Sequence, residues 1–444
     1  MSPPKSSSRP NTSSPNPAAL FFRDAEQLLT LGGRTVPRRG RDLGELGIAR
    51  GGALLAVDGK IAGAGRTREL ESTARRLKAR NIDCRGRVVM PGFVDSHTHL
   101  VFAGSRVDDY VKRLEGATYE EIASAGGGIR LTARLVAEAS PRALLRQALG
   151  FLDEFAACGT TTAEVKTGYG LDVETEIKML RVIHQLSAHP DAKVELVPTL
   201  LAAHALPAAF EGRRKDYLDA VINRLIPFAA ARKLARFIDC FCDRGAFSVA
   251  ECQRVLSAGA ALGLVPRLHA EQLARTGGTR LALQVGAASA DHLDHLTAAD
   301  IRALARSETV ATLLPGSNFH LGIRRYAPAR RLIDAGAAVA LATDFNPGTS
   351  PTVNMQFILS LACAAMHLTP AEAICAATLN AAHSLRMSER IGSLERGKQA
   401  DVIVMDVDDY RKIPYYFASN HCVMTVKGGR IVHSRLDDAR RRRV

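Results

Sequence analysis

The chain has no tryptophan, only 5% aromatic residues, and no apolar run approaching the roughly 18 residues of a membrane span. Few stacking platforms of the kind single-stranded nucleic acids need are therefore available, and a membrane protein is not expected. Paired cysteine spacing is missing too. The eight cysteines are scattered, Cys240-x-Cys242 has neither zinc-ribbon nor redox spacing, and the start has too short an apolar run for a secretory signal. Free thiols in a cytoplasmic protein are expected rather than a disulfide framework. Acidic residues are the scarcer charge, 45 against 59 basic, for a net charge of +14. The basic residues are dispersed apart from "RRGR" (38–41), "RRK" (213–215) and "RRRR" (440–443), which reads as a solvated basic surface suited to a small anionic substrate, with no nucleic-acid partner.

What is present is a globular composition, 46% hydrophobic and 23% charged, over 444 residues. That length exceeds what one core usually serves, so a large domain plus a smaller one is expected. A Ser/Pro-rich start reads as a disordered tail over 1–18. From Asp95 onward one rhythm repeats: a short apolar segment ending in polar residues, a loop, then an amphipathic helix. The segments are "GFVDSHTH", "TTAEVKTG", "VELVPTLLAAH", "RFIDCFCD", "LVPRLHAEQ", "ASADHLDH", "TVATLLPGSN" and "AVALATDFNPG".

Between them lie helical patterns such as "PRALLRQALGFLDEFAACG", with Leu144, Leu145, Leu149, Leu152 and Phe155 on one stripe and Gly159 as stop. Eight strands alternating with helices predict an α/β fold, a (β/α)8 TIM barrel over 89–390 whose active site collects at the C-terminal strand ends. Strand-and-turn patterns at 19–88 and 391–435 predict a small β-sandwich-like domain built from both chain ends, followed by a basic tail at 436–444.

The sharpest chemical signal is "VDSHTHL". Asp95, His97 and His99 share one parity, so on a strand they project to one side, and two imidazoles at i and i+2 converge as a divalent metal requires. His269 ends the fifth strand and Asp344 the eighth, so three imidazoles and a carboxylate meet over the barrel mouth with a position left for water. Asp95 lies deeper and supports the site. His292, ending the sixth strand, is placed to polarise a substrate oxygen or shuttle a proton, and His204, after the third, to touch substrate.

The stretches "VMPGFVDSHTHLVFAGSR", "EVKTGYGL", "AAHALP", "LHAEQ", "SADH" and "ATDFNPGTSP" together resemble the amidohydrolase superfamily. Within it, "GSR", "KTGYGL" and "DFNPGTSP" are similar to the branch that opens a cyclic amide bearing a carboxylate arm. The resemblance implies one divalent or trivalent ion, zinc or iron, on His97, His99, His269 and Asp344, and a homodimer. It also implies a substrate site from Arg106, Tyr169, His204, Asn346, Gly348 and Thr349. Arg106 can grip a carboxylate through two parallel hydrogen bonds, Asp344 would take the proton of the attacking water, and His292 would stabilise the oxyanion.

Several related hydrolases have a glutamate where this chain has Gln272, which binds but cannot act as a base; the neighbouring Glu271 points elsewhere and is left out. Two-metal relatives bridge with a carboxylated lysine at the end of the fourth strand, which is missing here; Lys166, on the second, reads as supporting, so one metal is expected. The alternative is a mononuclear-metal deaminase, or another cyclic-amide amidohydrolase, using the same ligands.

Overall fold

The computed structural model describes residues 19–33, 37–118, 121–122 and 125–436. The expected N-terminal tail and nearly all of the basic C-terminal one lie outside them. Eight parallel strands follow one another around a sheet in chain order: Phe93–Asp95, Thr160–Lys166, Glu195–Ala203, Phe237–Cys242, Leu268–Ala270, Ser289–His292, Val310–Leu313 and Val339–Leu341. A short Val265–Pro266 strand also pairs beside the fourth. The ring closes where the loops beyond the eighth and first strands meet, through a parallel bridge between Thr98 and Phe345. These are the eight expected strands of a (β/α)8 barrel. No helix among the described residues is long and apolar enough to cross a membrane.

Strand parity sorts the side chains. On the second strand Ala163 and Val165 face outward into an apolar cluster with Leu144, Leu152, Phe155 and Ile183 of the covering helices. Glu164 and Lys166 have the opposite parity and face the barrel axis. The helix Pro141–Ala157 starts cleanly: Ser140 accepts the Ala143 N–H, proline occupies the first turn, and Leu144, Ala148, Leu152 and Phe155 are buried. Gly159 turns out of it at φ +97°, a conformation that favours glycine. Each fully buried Leu or Phe contributes roughly 1.5–3 kcal/mol of transfer free energy.

The chain ends build a second, mixed sheet in the order Arg430–Ser434, Cys422–Lys427, Val402–Met405, Val88–Pro91, Ala19–Leu29, Ile48–Val57 and Lys60–Arg66, with Arg80–Asp83 paired to Ala19–Leu29. Its core joins Leu20, Phe22, Leu54 and Ile82 to Val402, Val404 and Val426.

An ion network ties this sheet to the bottom of the barrel. Lys427 Nζ lies 2.7 Å from Glu195 Oε2, at the start of the third barrel strand, and 2.8 Å from Asp401; Arg390 also pairs with Glu195. Burial pushes the Glu195 carboxyl up, but Lys427 and Arg390 outweigh it and hold it at about 2. A carboxyl depressed on folding stabilises above its unfolded pKa and loses that contribution as pH falls through the folded one. Lys427→Met should therefore cost about 2 kcal/mol at pH 7 and less than half of that near pH 3. Urea titrations of both proteins at the two pH values check this; an equal loss at both would contradict it.

Candidate active site

Barrel closure assembles the site. Asp344 N–H donates to His97 O at 3.1 Å and His99 N–H to Phe345 O at 2.8 Å, which sets the loop after the eighth strand against "HTH". Nε2 of His97 and Nε2 of His99 each then lie 3.6 Å from Asp344 Oδ1. The His269 ring arrives from the fifth strand, its centroid 4.5 Å from that of His97 and 5.6 Å from that of His99. His292 stands 5.3 Å from His269 and 5.6 Å from His97.

Candidate ligand atoms of His97, His99 and Asp344 lie within 4.8 Å of one another, and so do those of His97, His269 and His292. His97 belongs to both groups, with His99 and Asp344 in one and His269 and His292 in the other, so all five side chains gather at the C-terminal strand ends. Burial, reinforced by neighbouring histidines and Lys166, pushes His97, His99 and His292 well below the usual imidazole pKa, which favours their neutral form. Burial likewise pushes Asp344 well up. His97 Nε2 and His269 Nε2 are buried without a hydrogen-bond partner, an arrangement that is costly unless something else satisfies them. Neutral imidazoles with free ring nitrogens around a carboxylate suit a zinc-like or iron-like ion.

The imidazole backs are held from below. His97 Nδ1 lies 2.7 Å from Asp291 Oδ2, and His269 Nδ1 3.0 Å from Asp239 Oδ2. Asp95 reaches neither ring: it accepts from Thr343 N–H at 3.0 Å and from its Oγ1 at 2.5 Å, pinning the first strand to the eighth. Burial raises it to about 7.

Above the ligands, His204 stacks on His99 at 5.2 Å between centroids, with Tyr169 5.7 Å from each. His204 Nδ1 lies 2.9 Å from Gly168 O, and burial pushes its pKa down to about 3. Arg106 sits 3.3 Å from Asp109 and against Gly348, where a Cβ would stand 2.4 Å from the guanidinium. Glycine at 348 is thus the residue that leaves room for Arg106.

The Asn346 side chain is engaged within its own turn. Its Oδ1 accepts the N–H groups of Gly348 and Thr349 at 2.9 and 2.7 Å, and its Nδ2 donates to Asp344 O at 2.6 Å. Thr349 Oγ1 lies 3.5 Å from Asp344 Oδ2.

Buried carboxylates hold the rim loops, and two of them, Glu176 and Asp243, were missed by sequence reasoning. Glu176 accepts from Gly168, Gly170 and Leu171 N–H around Tyr169. Asp243 accepts from Gln272, Leu273 and Ala274 N–H. Glu271 accepts from Thr276, Gly277 and Thr279 N–H, so its carboxylate is engaged in its own loop, while Gln272 is half-buried on the rim. The one available signal was an acidic residue a few positions from a glycine-rich turn.

Fold and site together define a hydrolase of the amidohydrolase class. Amidohydrolase family models match residues 269–432 and 80–134. The chain is 45% identical over 416 residues to the imidazolonepropionase of Geobacillus kaustophilus, covering 93% of this chain and 97% of that one. It is 43% identical to the imidazolonepropionase of Chloroflexus aggregans, over 94% and 99%. Escherichia coli guanine deaminase shares the fold with a TM-score of 0.70 at 19% identity, covering 94% of this chain and 99% of that one. A zinc-bound adenosine deaminase from Xanthomonas campestris does so at 0.66 and 18%, over 97% and 99%. The chain belongs to the imidazolonepropionase family, whose members are hydrolases acting on a carbon–nitrogen bond.

Proposed function

We propose that the chain hydrolyses the ring amide of 4-imidazolone-5-propanoate to N-formimidoyl-L-glutamate, a step of histidine breakdown. The observation that carries the reading is the placement of Arg106 beside Gly348, four residues from Asp344. A guanidinium there meets the propanoate arm while the ring lies over the histidines. A deaminase using the same ligands would have no carboxylate for Arg106 to grip.

His97, His99, His269 and Asp344 would hold one ion, zinc or iron. When bound, the ion supplies Lewis acidity and brings the pKa of a water toward neutrality. The chain's own groups do the rest. Arg106 binds the carboxylate arm through parallel N–H donors. Tyr169 and His204 orient the ring, with Gln272 as a further hydrogen-bonding group and the Asn346–Thr349 turn as its wall. Asp344 takes the proton from the attacking water and, once protonated, can return it to the departing ring nitrogen. His292 donates to the carbonyl oxygen as negative charge develops there. The reading also takes the enzyme as a cytoplasmic homodimer.

Purified protein should abolish the absorbance of the imidazolone substrate and leave aminated purines and pyrimidines unchanged; the reverse would overturn the assignment. Arg106→Ala should raise KM about 100-fold or more, as expected for losing a charge-assisted bidentate contact, with metal content unchanged. Equal loss of metal and affinity would remove Arg106 from its role.

A further inference from the structure

Directly beneath the ligands the barrel interior is ionic where an aliphatic layer is usual. Glu164, Lys166, Asp239, Arg267 and Asp291 are all fully buried. Lys166 Nζ donates to Glu164 Oε1 and Asp239 Oδ2 at 2.7 Å each and lies 3.8 Å from Asp291 Oδ2. Arg267 lies 3.3 Å from Asp291 through one terminal nitrogen, which also donates to Ser96 O at 2.8 Å. None of these groups takes part in the chemistry above. A buried ammonium is costly to maintain without a function for its charge.

We infer that Lys166 is a positioning residue for the histidine ligands: by keeping Asp291 hydrogen-bonded to Nδ1 of His97 and the Asp239 carboxylate facing Nδ1 of His269, it biases both rings toward the Nδ1–H tautomer and leaves Nε2 bare for the ion. This rests on the ligand assignment proposed above. Each arm combines one hydrogen bond with one looser contact: Lys166 Nζ donates to Asp239, which lies 3.0 Å from His269 Nδ1 outside hydrogen-bond geometry, whereas Asp291 is hydrogen-bonded to His97 Nδ1 and lies 3.8 Å from Lys166. Asp239 Oδ2 is shared between Lys166 and His269, and Asp291 Oδ2 between His97, Arg267 and the more distant Lys166. A carboxylate that faces a ring nitrogen accepts its proton, which fixes both the tautomer and the ring's orientation. Arg267 pairs with Asp291 and lies 3.8 Å from Glu164, so among the described residues Lys166 is the cation whose ion pairs reach both Asp239 and Asp291. Its remaining donor goes to Glu164, whose Oε2 accepts Thr98 N–H at 3.2 Å, between the two ligand histidines of the first strand.

The test compares the full-length zinc-loaded protein with Lys166→Met, Asp239→Asn and His269→Ala. Zinc affinity is read by chelator competition, fold by circular dichroism, and the ring tautomers by nitrogen-15 histidine spectra of chelator-stripped protein. Lys166→Met should bind zinc 10- to 100-fold more weakly and show His97 and His269 signals spread between the two tautomers. If that variant does not fold, the near-isosteric Asp239→Asn is read the same way, with the change confined to His269. A folded variant with zinc affinity within twofold of the parent and unchanged ring signals would overturn the inference. If His269→Ala keeps its zinc, the ligand assignment itself falls. If His269→Ala loses zinc while Lys166→Met does not, only the role of Lys166 falls.

Discussion

Asparagine in place of Asp344 should lower kcat by roughly 10³–10⁴-fold while leaving KM within a fewfold of the parent, because proton transfer by a positioned group contributes about 10²–10⁴-fold and the ligand is weakened as well. Asp344 is held at φ +55°, beside His97 by its backbone N–H and below Thr349 Oγ1. Asparagine has the same shape and tolerates that backbone. The substitution thus removes the proton acceptor without dismantling the turn that Asn346 builds. Steady-state kinetics with zinc measured by elemental analysis on the same sample decide the matter. A variant that keeps its metal and more than a tenth of kcat would show that another group moves the first proton. Gln272 is not that group, since an amide has no proton affinity near neutral pH.

Metal removal should have the larger effect: turnover falls to background on dialysis against a chelator and returns with one equivalent of zinc or ferrous ion per chain. His97→Ala should not be rescued. The charges predict a loss of stability alongside. Lys166 and Arg267 supply two positive charges against the carboxyls of Glu164, Asp239 and Asp291, all buried, while burial favours the neutral form of Asp344 as it does of Asp95. A cation beside Asp344 would favour its charged form, and an ion held only by the folded site stabilises the fold by its binding free energy, about 4 kcal/mol at a thousandfold excess over the dissociation constant. The thermal midpoint before and after chelation measures it. An unchanged midpoint together with full activity would remove the ion from the reaction.

The barrel was legible because each of its strands announces itself twice, by an apolar segment and by the polar residues that end it. "HTH", His269 and Asp344 followed from counting those ends around a ring. The layer below them was not legible. His97 and Asp291 meet across 194 positions of sequence, and Lys166 and Asp239 across 73, so nothing local marks these pairs. Strand parity puts Glu164 with Lys166, and Arg267 with His269, on one face of their strands, but a two-residue period does not say which neighbour each finds. The Glu176, Asp243 and Glu271 contacts escaped for another reason: their partners are backbone N–H groups, which any sequence supplies. Asn346 reads as a substrate contact in "DFNPGTSP" and is engaged by its own turn in three dimensions.

The mixed sheet has a consequence for how the protein is made. Val88–Pro91 lies between Ala19–Leu29 and Val402–Met405. During synthesis the early strands therefore present an unpaired, wholly apolar edge until a segment roughly 300 residues later leaves the ribosome, an interval of about 15–60 s at 5–20 residues per second. The barrel can grow strand by strand in that time, but the edge cannot be covered by its native neighbour. A nascent chain in that state is a template for edge-to-edge pairing with another copy. Its yield in a cell should accordingly depend on chaperones that shield extended apolar strands during translation.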